Sequence, residues 1–106
     1  MKLVIIASPF AGDTKRNIAY GLACVKHSLL HNEAPIAGHL LLTQPGILND
    51  QLVGDRLLGM RAGFAWLRVA NILAVYIDHG ISPGMKQEIE LAQIHKVPVS
   101  YRKILS

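Results

Sequence analysis

Cysteine is nearly missing from this chain: Cys24 is the only one among 106 residues. No intrachain disulfide is possible, and a reducing, cytoplasmic setting is the natural expectation. A basic tract is also missing. Eleven Lys and Arg against seven Asp and Glu give a formal net charge of +4, but the cations are scattered, with only Lys15-Arg16 and Arg102-Lys103 as pairs. With three tyrosines, two phenylalanines and one tryptophan, there is little aromatic surface for stacking bases, so a nucleic-acid partner is not expected. A mild, dispersed positive excess suits a small anion better. There is no long hydrophobic run. Phe64 to Ile77 is broken by Arg68 and Asn71 and is shorter than a membrane span requires. The apolar start of the chain meets Pro9 and Asp13 with no small-x-small cleavage pattern, so neither a membrane nor a secretory role is expected. Neither G-x-G-x-x-G nor a P-loop lysine is present, which excludes the usual dinucleotide and triphosphate cradles. His27 and His31 stand at i, i+4 without a third ligand, and no metal or other cofactor is expected.

What is present is a folding chain. Hydrophobic residues make up 51% and charged residues 17%, enough apolar surface for a core, at a length that suits one domain over residues 1–106. Leu3 to Ala7 is a continuous apolar run, the pattern of a strand covered on both faces. A helix is expected from Thr14 to His31, with Ile18, Leu22, Val25 and Leu29 as its buried stripe. Asn32-Glu33 closes it, and a short second strand begins at Pro35 to Gly38 and leads into "HLLL". Thr43 to Gln51 carries Pro45-Gly46 and Asn49-Asp50, turn chemistry marking the longest irregular piece. A second long helix should run from Leu52 to Ala70 with Leu57, Met60, Phe64 and Leu67 on one face. Its glycines at 54, 59 and 63 are poor helix formers and point to close packing or a ligand. Ile72 to Ile77 reads as a strand, Pro83 to His95 as a helix and Val97 to Tyr101 as the last strand. Strand and helix alternate throughout, which predicts an α/β three-layer sandwich on a mainly parallel four-stranded sheet, flavodoxin- or Rossmann-like.

In such sheets, ligands bind where the chain leaves the carboxyl ends of strands. Two loops qualify, "SPFAGD" after the first strand and "DHGISPG" after the third. Ser82-Pro83 reads as a helix N-cap with proline at the first helical position. Gly84 leaves the free amides of that helix end open to an anion. Glu88, six residues after Ser82, can turn its carboxylate toward whatever Ser82 and Gly84 hold.

The pattern Ser82-x-Gly84-x-x-x-Glu88 after a strand, together with "ASPFAGD" after the first strand, resembles the nucleoside 2-deoxyribosyltransferase superfamily and its hydrolase branch, the 2′-deoxynucleoside 5′-monophosphate N-glycosidases. The resemblance extends over nearly the whole chain to small uncharacterised domains of that superfamily found in phages and bacteria. It is carried by Ser8, Pro9, Gly12, Asp13, Asn17, Pro35, Ile36, His39, Arg56, Gly59, Ile81, Met85 and Ile89 besides the motif itself. It implies that Glu88 attacks the anomeric carbon and that Ser82, a serine as in the monophosphate hydrolases, helps to bind a 5′-phosphate. It also implies that Ser8, Pro9, Phe10, Gly12 and Asp13 line the same pocket, with His39 at the position of the hydrolases' histidine. Two residues of those enzymes have no counterpart. Val4, Ile5 and Ile6 stand where a tyrosine is found, and Gly63 and Phe64 where an aspartate is found.

The expected chemistry follows from the bond. Cleavage of an N-glycosidic bond passes through an oxocarbenium-like state that a carboxylate can stabilise or capture. The leaving base needs a proton or a strong hydrogen bond, for which Asp78, Asp13 and His39 are candidates, Asp78 foremost. Water as acceptor makes a hydrolase, a second base a transferase. A nucleotide-binding module without turnover is the alternative. Cys24 is expected to be an inert buried thiol. Trp66 and its neighbours are expected in the core or at a subunit interface, with a homodimer or larger assembly as the partner state.

Overall fold

The computed structural model describes residues 1–105. The elements are β1 (Lys2–Ala7), α1 (Thr14–Leu30), β2 (Glu33–Ile36), α2 (Gly38–Leu41), α3 (Val53–Leu67), β3 (Ile72–Tyr76), α4 (Pro83–Ile94) and β4 (Val99–Arg102). All four strands are parallel, in the order β2-β1-β3-β4. The chain therefore steps one way from β1 to β2 and the other way through β3 and β4. Right-handed crossovers then require α1 on one face and α3 and α4 on the other.

The core divides along that line. Val4, Ile6, Ala74 and Tyr76 meet Tyr20 and Cys24 of α1 on one face. On the other, Ile5, Ala7, Leu73 and Val75 meet Leu67 of α3 with Met85, Ile89 and Ala92 of α4. Val4 to Ala7 are buried in sequence because helices cover both faces of β1, which is why the run does not alternate.

The α1 stripe differs from the sequence expectation. Leu22 and Leu29 are 59% and 52% exposed, Ile18 and Val25 only pack at the margin, and the buried residues are Asn17, Tyr20, Gly21, Cys24 and Ser28. Specific hydrogen bonds outweigh side-chain hydrophobicity here. Asn17 Nδ2 donates to the carbonyls of Phe10 and Ala11 at 3.1 and 3.0 Å, and Ser28 Oγ donates to Glu33 at 2.7 Å. Buried polar groups satisfied in this way fix the helix rotation, and the leucines are left outside.

Boundaries shift as well. The second strand starts at Glu33 and ends at Ile36, and "HLL" lies in the helical turn α2 rather than continuing a strand. The second long helix ends at Leu67, three residues short of the expected Ala70, and the last strand starts at Val99. Glu33 on β2 and Arg102 on β4 form a two-pronged ion pair at 2.7 and 2.8 Å. The hydrogen bonds from Arg102 hold the Glu33 carboxyl at about 2 against its burial.

Candidate active site

Because β1 and β3 are neighbours, the loops that follow them leave the same edge of the sheet. A cavity of about 410 Å³ opens on the α3/α4 side of that edge, within the range of small-molecule sites. Ser8, Phe10 and His39 line it from the β1 loop and α2, and Ser82, Gly84 and Glu88 line it from α4. Helix α3 contributes Arg56, Met60 and Phe64, with Gly59 and Gly63 between them. A Cβ at Gly63 would meet nothing within 4 Å, so that glycine leaves open space in the cavity wall rather than permitting close packing.

Local chemistry sets the α4 end. Ser82 is the N-cap, its Oγ accepting from the Met85 amide at 3.3 Å, while the Ser82 amide donates to Met85 Sδ at 3.4 Å. Pro83 follows at the first helical position, where its missing N–H is no loss. Nothing lies within 4 Å of a Cβ built on Gly84, so the first turn of α4 is bare on the cavity side.

Glu88 lies a turn and more further on. It is partly reached by solvent from the cavity but surrounded by protein, and it has no hydrogen-bond or ion-pair partner among the described residues. Burial alone pushes its carboxyl up to about 7. A carboxylate desolvated without compensation marks a candidate functional group.

Across the cavity, Ser8 Oγ and His39 Nε2 are 2.7 Å apart. Burial drives the His39 imidazole down to about 4, so the ring is neutral at physiological pH. It serves there as a hydrogen-bonding group and not as an imidazolium acid. Phe10 meets it edge-on, ring centres 6.5 Å apart. A Cβ on Gly21 would come within 2.9 Å of Leu40 and 3.3 Å of Ser8 Oγ, so this α1 glycine lets Ser8 and α2 sit close to the helix.

Four sequence candidates do not line this cavity. Pro9 is buried behind the loop. Gly12, at φ +98°, turns the chain beside a shallower neighbouring cleft. Asp13 caps α1 by accepting from the Arg16 amide at 3.2 Å. Asp78 faces the α1 side of the sheet. It accepts from the Tyr20 hydroxyl and from the Ile104 and Leu105 amides. Burial would raise its carboxyl, but these donors prevail and hold it at about 2. An acid that strong and that engaged is not a proton donor at neutral pH.

Sequence reasoning passed over Arg56, Asp50 and Asp55 as site residues, all of which border the cavity. The helix glycines at 59 and 63 were the signal, since the face they bare on α3 also carries Arg56. Trp66 also borders the cavity and is 54% exposed, not core. His27 and His31 stack with ring centres 4.2 Å apart, and among the described residues no group of three His, Cys, Asp or Glu side chains is placed to hold a metal ion. Cys24 is fully buried, and burial pushes its thiol up to about 12. No helix among the described residues is long and apolar enough to cross a membrane.

Among solved structures, the fold is similar to a 2-deoxyribosyltransferase from the psychrotolerant bacterium Bacillus psychrosaccharolyticus. The TM-score is 0.66 at 14% identity, over 98% of this chain and 77% of that one. At that identity the likeness establishes the fold alone, a Rossmann-like α/β architecture shared with that enzyme. No curated protein matches the sequence. Residues 2–102 match the profile of a family described as Domain of unknown function (DUF7768), and the chain belongs to that family.

Proposed function

We propose that this protein is an N-glycosidase that removes the base from a nucleoside 5′-monophosphate, with Glu88 as the carboxylate that captures the sugar. The observation that carries this reading is Glu88 itself, a carboxylate at the cavity wall, crowded by protein and given no partner, whose burial raises its carboxyl. Such a group costs stability, and an oxocarbenium-like sugar supplies the charge it lacks. In the proposed reaction, a Glu88 oxygen attacks C1′ as the C1′–N bond breaks and the bonding pair leaves with the base. A water protonates the departing base, and the hydroxide so formed displaces Glu88 from C1′, releasing the sugar phosphate and restoring the carboxylate. A second base in place of that water would make the same site a transferase.

The phosphate would sit at the amino end of α4, by Ser82 and Gly84. Ser8 and neutral His39 would hydrogen-bond the sugar, and Phe10, Met60 and Phe64 would hold the base. The withdrawal of Asp78 from the cavity favours a second reading, a nucleotide-binding module without turnover. Incubation with a panel of nucleotides, following free base beside binding on the same panel, separates the two. Base release supports the enzyme, and binding without release supports the module.

The protein is further proposed to associate with a second copy of itself through α3. Only Leu67 of this helix is fully buried, and Leu57, Leu58 and Val69, just beyond its end, are exposed, so an apolar helix is left uncovered on its outer side. A dimer mass by light scattering at micromolar concentration is expected, and a monomer mass there would contradict it.

A further inference from the structure

Four charged side chains border the cavity, Asp50, Asp55, Arg56 and Glu88, and His39 beside them is neutral. Three of the four are acids. A 5′-phosphate carries nearly two negative charges near neutral pH, so this lining would repel it were it not for Arg56. The amino end of α4 is too weak to reverse that balance alone, since a helix terminus changes the affinity of an anion by roughly two- to fivefold.

Arg56 is poised for the task. Its Nε donates to the Asp50 carbonyl at 3.2 Å, and the same Nε lies 3.9 Å from Asp50 Oδ1 with the side chain 55% exposed. An ion pair that long and that wet is weak. The two terminal nitrogens have no partner among the described residues, so the planar donor fork that matches a phosphate is free. The backbone hydrogen bond meanwhile anchors the base of that fork beside the cavity. Further along α3, Leu48 packs over Gly59, where a Cβ would come within 3.3 Å of it, while Gly63 leaves the wall bare, so the cavity that Arg56 borders continues past Gly63 and is also lined by Glu88.

We propose that Arg56 is the residue by which the cavity selects a phosphorylated nucleoside over the nucleoside itself, its terminal nitrogens taking the 5′-phosphate opposite the amino end of α4. This rests on the reading of the cavity as a nucleotide site, and it assigns the choice of substrate class to one side chain outside the Ser82–Glu88 motif. The Asp50 carboxylate competes with the phosphate for that side chain and tempers the selection.

The test measures dissociation constants by calorimetry for each 2′-deoxynucleoside and its 5′-monophosphate. It uses the full chain in a Glu88→Gln background, which removes turnover equally from every variant. The parent should bind the monophosphate roughly ten- to hundredfold more tightly, the worth of a charge-assisted pair. Arg56→Gln should bring the ratio to within about threefold of one. Arg56→Lys, which keeps the charge without the fork, should fall between, and Asp50→Asn should raise the ratio by freeing Arg56. A parent with no phosphate preference, or an Arg56→Gln variant that keeps the parent's ratio, overturns the assignment. The failures are distinguishable. If wild-type protein still releases base from nucleosides, loss of the phosphate preference removes Arg56 and leaves Glu88 standing. Base release indifferent to Glu88→Gln removes Glu88 and leaves the binding ratio intact.

Discussion

Tyr20 and Asp78 exchange hydrogen bonds: the Tyr20 hydroxyl donates to Asp78 Oδ1 at 2.5 Å and accepts from the Asp78 amide at 3.1 Å. Asp78 also collects the amides of Ile104 and Leu105 at 3.0 and 2.9 Å. It thus ties α1, the end of β3 and the segment after β4 into one unit on the face away from the cavity. An aspartate two residues after a strand, beside a loop that borders the cavity, is a structural clasp here.

Asp78→Ala leaves the Tyr20 hydroxyl and two backbone amides without their acceptor and is expected to cost about 2–3 kcal/mol of stability. Base release per folded molecule should stay within a few-fold of wild type. Denaturant melts beside single-turnover assays decide the matter. An unchanged melt with a large loss of base release would restore Asp78 as the acid.

Glu88 should leave a signature in stability as a function of pH. Its carboxyl lies at about 7 in the folded protein against an ordinary value of 4.5, so the folded state holds the proton more tightly than the unfolded one. Stability from this group is full below the ordinary value and falls as pH rises from there to about 7. Glu88→Gln should therefore stabilise the protein at pH 8 by on the order of 1–3 kcal/mol relative to wild type, and much less at pH 5. Glu33, held at about 2, acts with the opposite sign, and its stabilisation is lost only as pH falls below both comparison points. Equal differences at pH 5 and pH 8 would mean that Glu88 ionises as an exposed glutamate does.

Gly63→Leu separates stability from binding. The site is helical with nothing within 4 Å of a Cβ, so the leucine is accommodated and gains roughly 0.5–1 kcal/mol in helix propensity. The same side chain projects into the cavity and should reduce nucleotide affinity more than tenfold. A variant that melts higher and still binds normally would show that the ligand lies elsewhere.

The strands and the α4 cap were legible in the sequence because each rests on neighbours in the chain: the apolar runs of β1 and β3, and Ser82 with Pro83. The parallel sheet followed from the alternation of strand and helix, whereas the pairing of β1 with β3 that brings their loops to one edge is a property of the fold. The rotation of α1 was not legible, since it depends on Asn17 and Ser28 finding partners that only the fold brings near. Asp78 was misread for the same reason, its acceptor sites being filled from residues 26 and 27 positions later. On α3 the expected stripe of Leu57, Met60, Phe64 and Leu67 breaks up, because apolar residues run all round the helix: Leu57 is exposed, Met60 and Phe64 line the cavity and only Leu67 is buried. The glycines showed the cavity side, but the weight of Arg56 emerged only once Asp50, Asp55 and Glu88 were seen around the same space.

The central claim is that the Glu88 carboxylate captures the sugar, and base release by Glu88→Gln tests it most directly. With the nucleoside monophosphate that wild type cleaves best, the variant should still bind but release base slower by at least about three orders of magnitude, the range seen when a charge acting only in the transition state is removed. Wild-type release should rise with pH through about 7 as Glu88 ionises, and Glu90→Gln, at an exposed position on the same helix, should match wild type. Base released by Glu88→Gln as fast as by wild type would contradict the account.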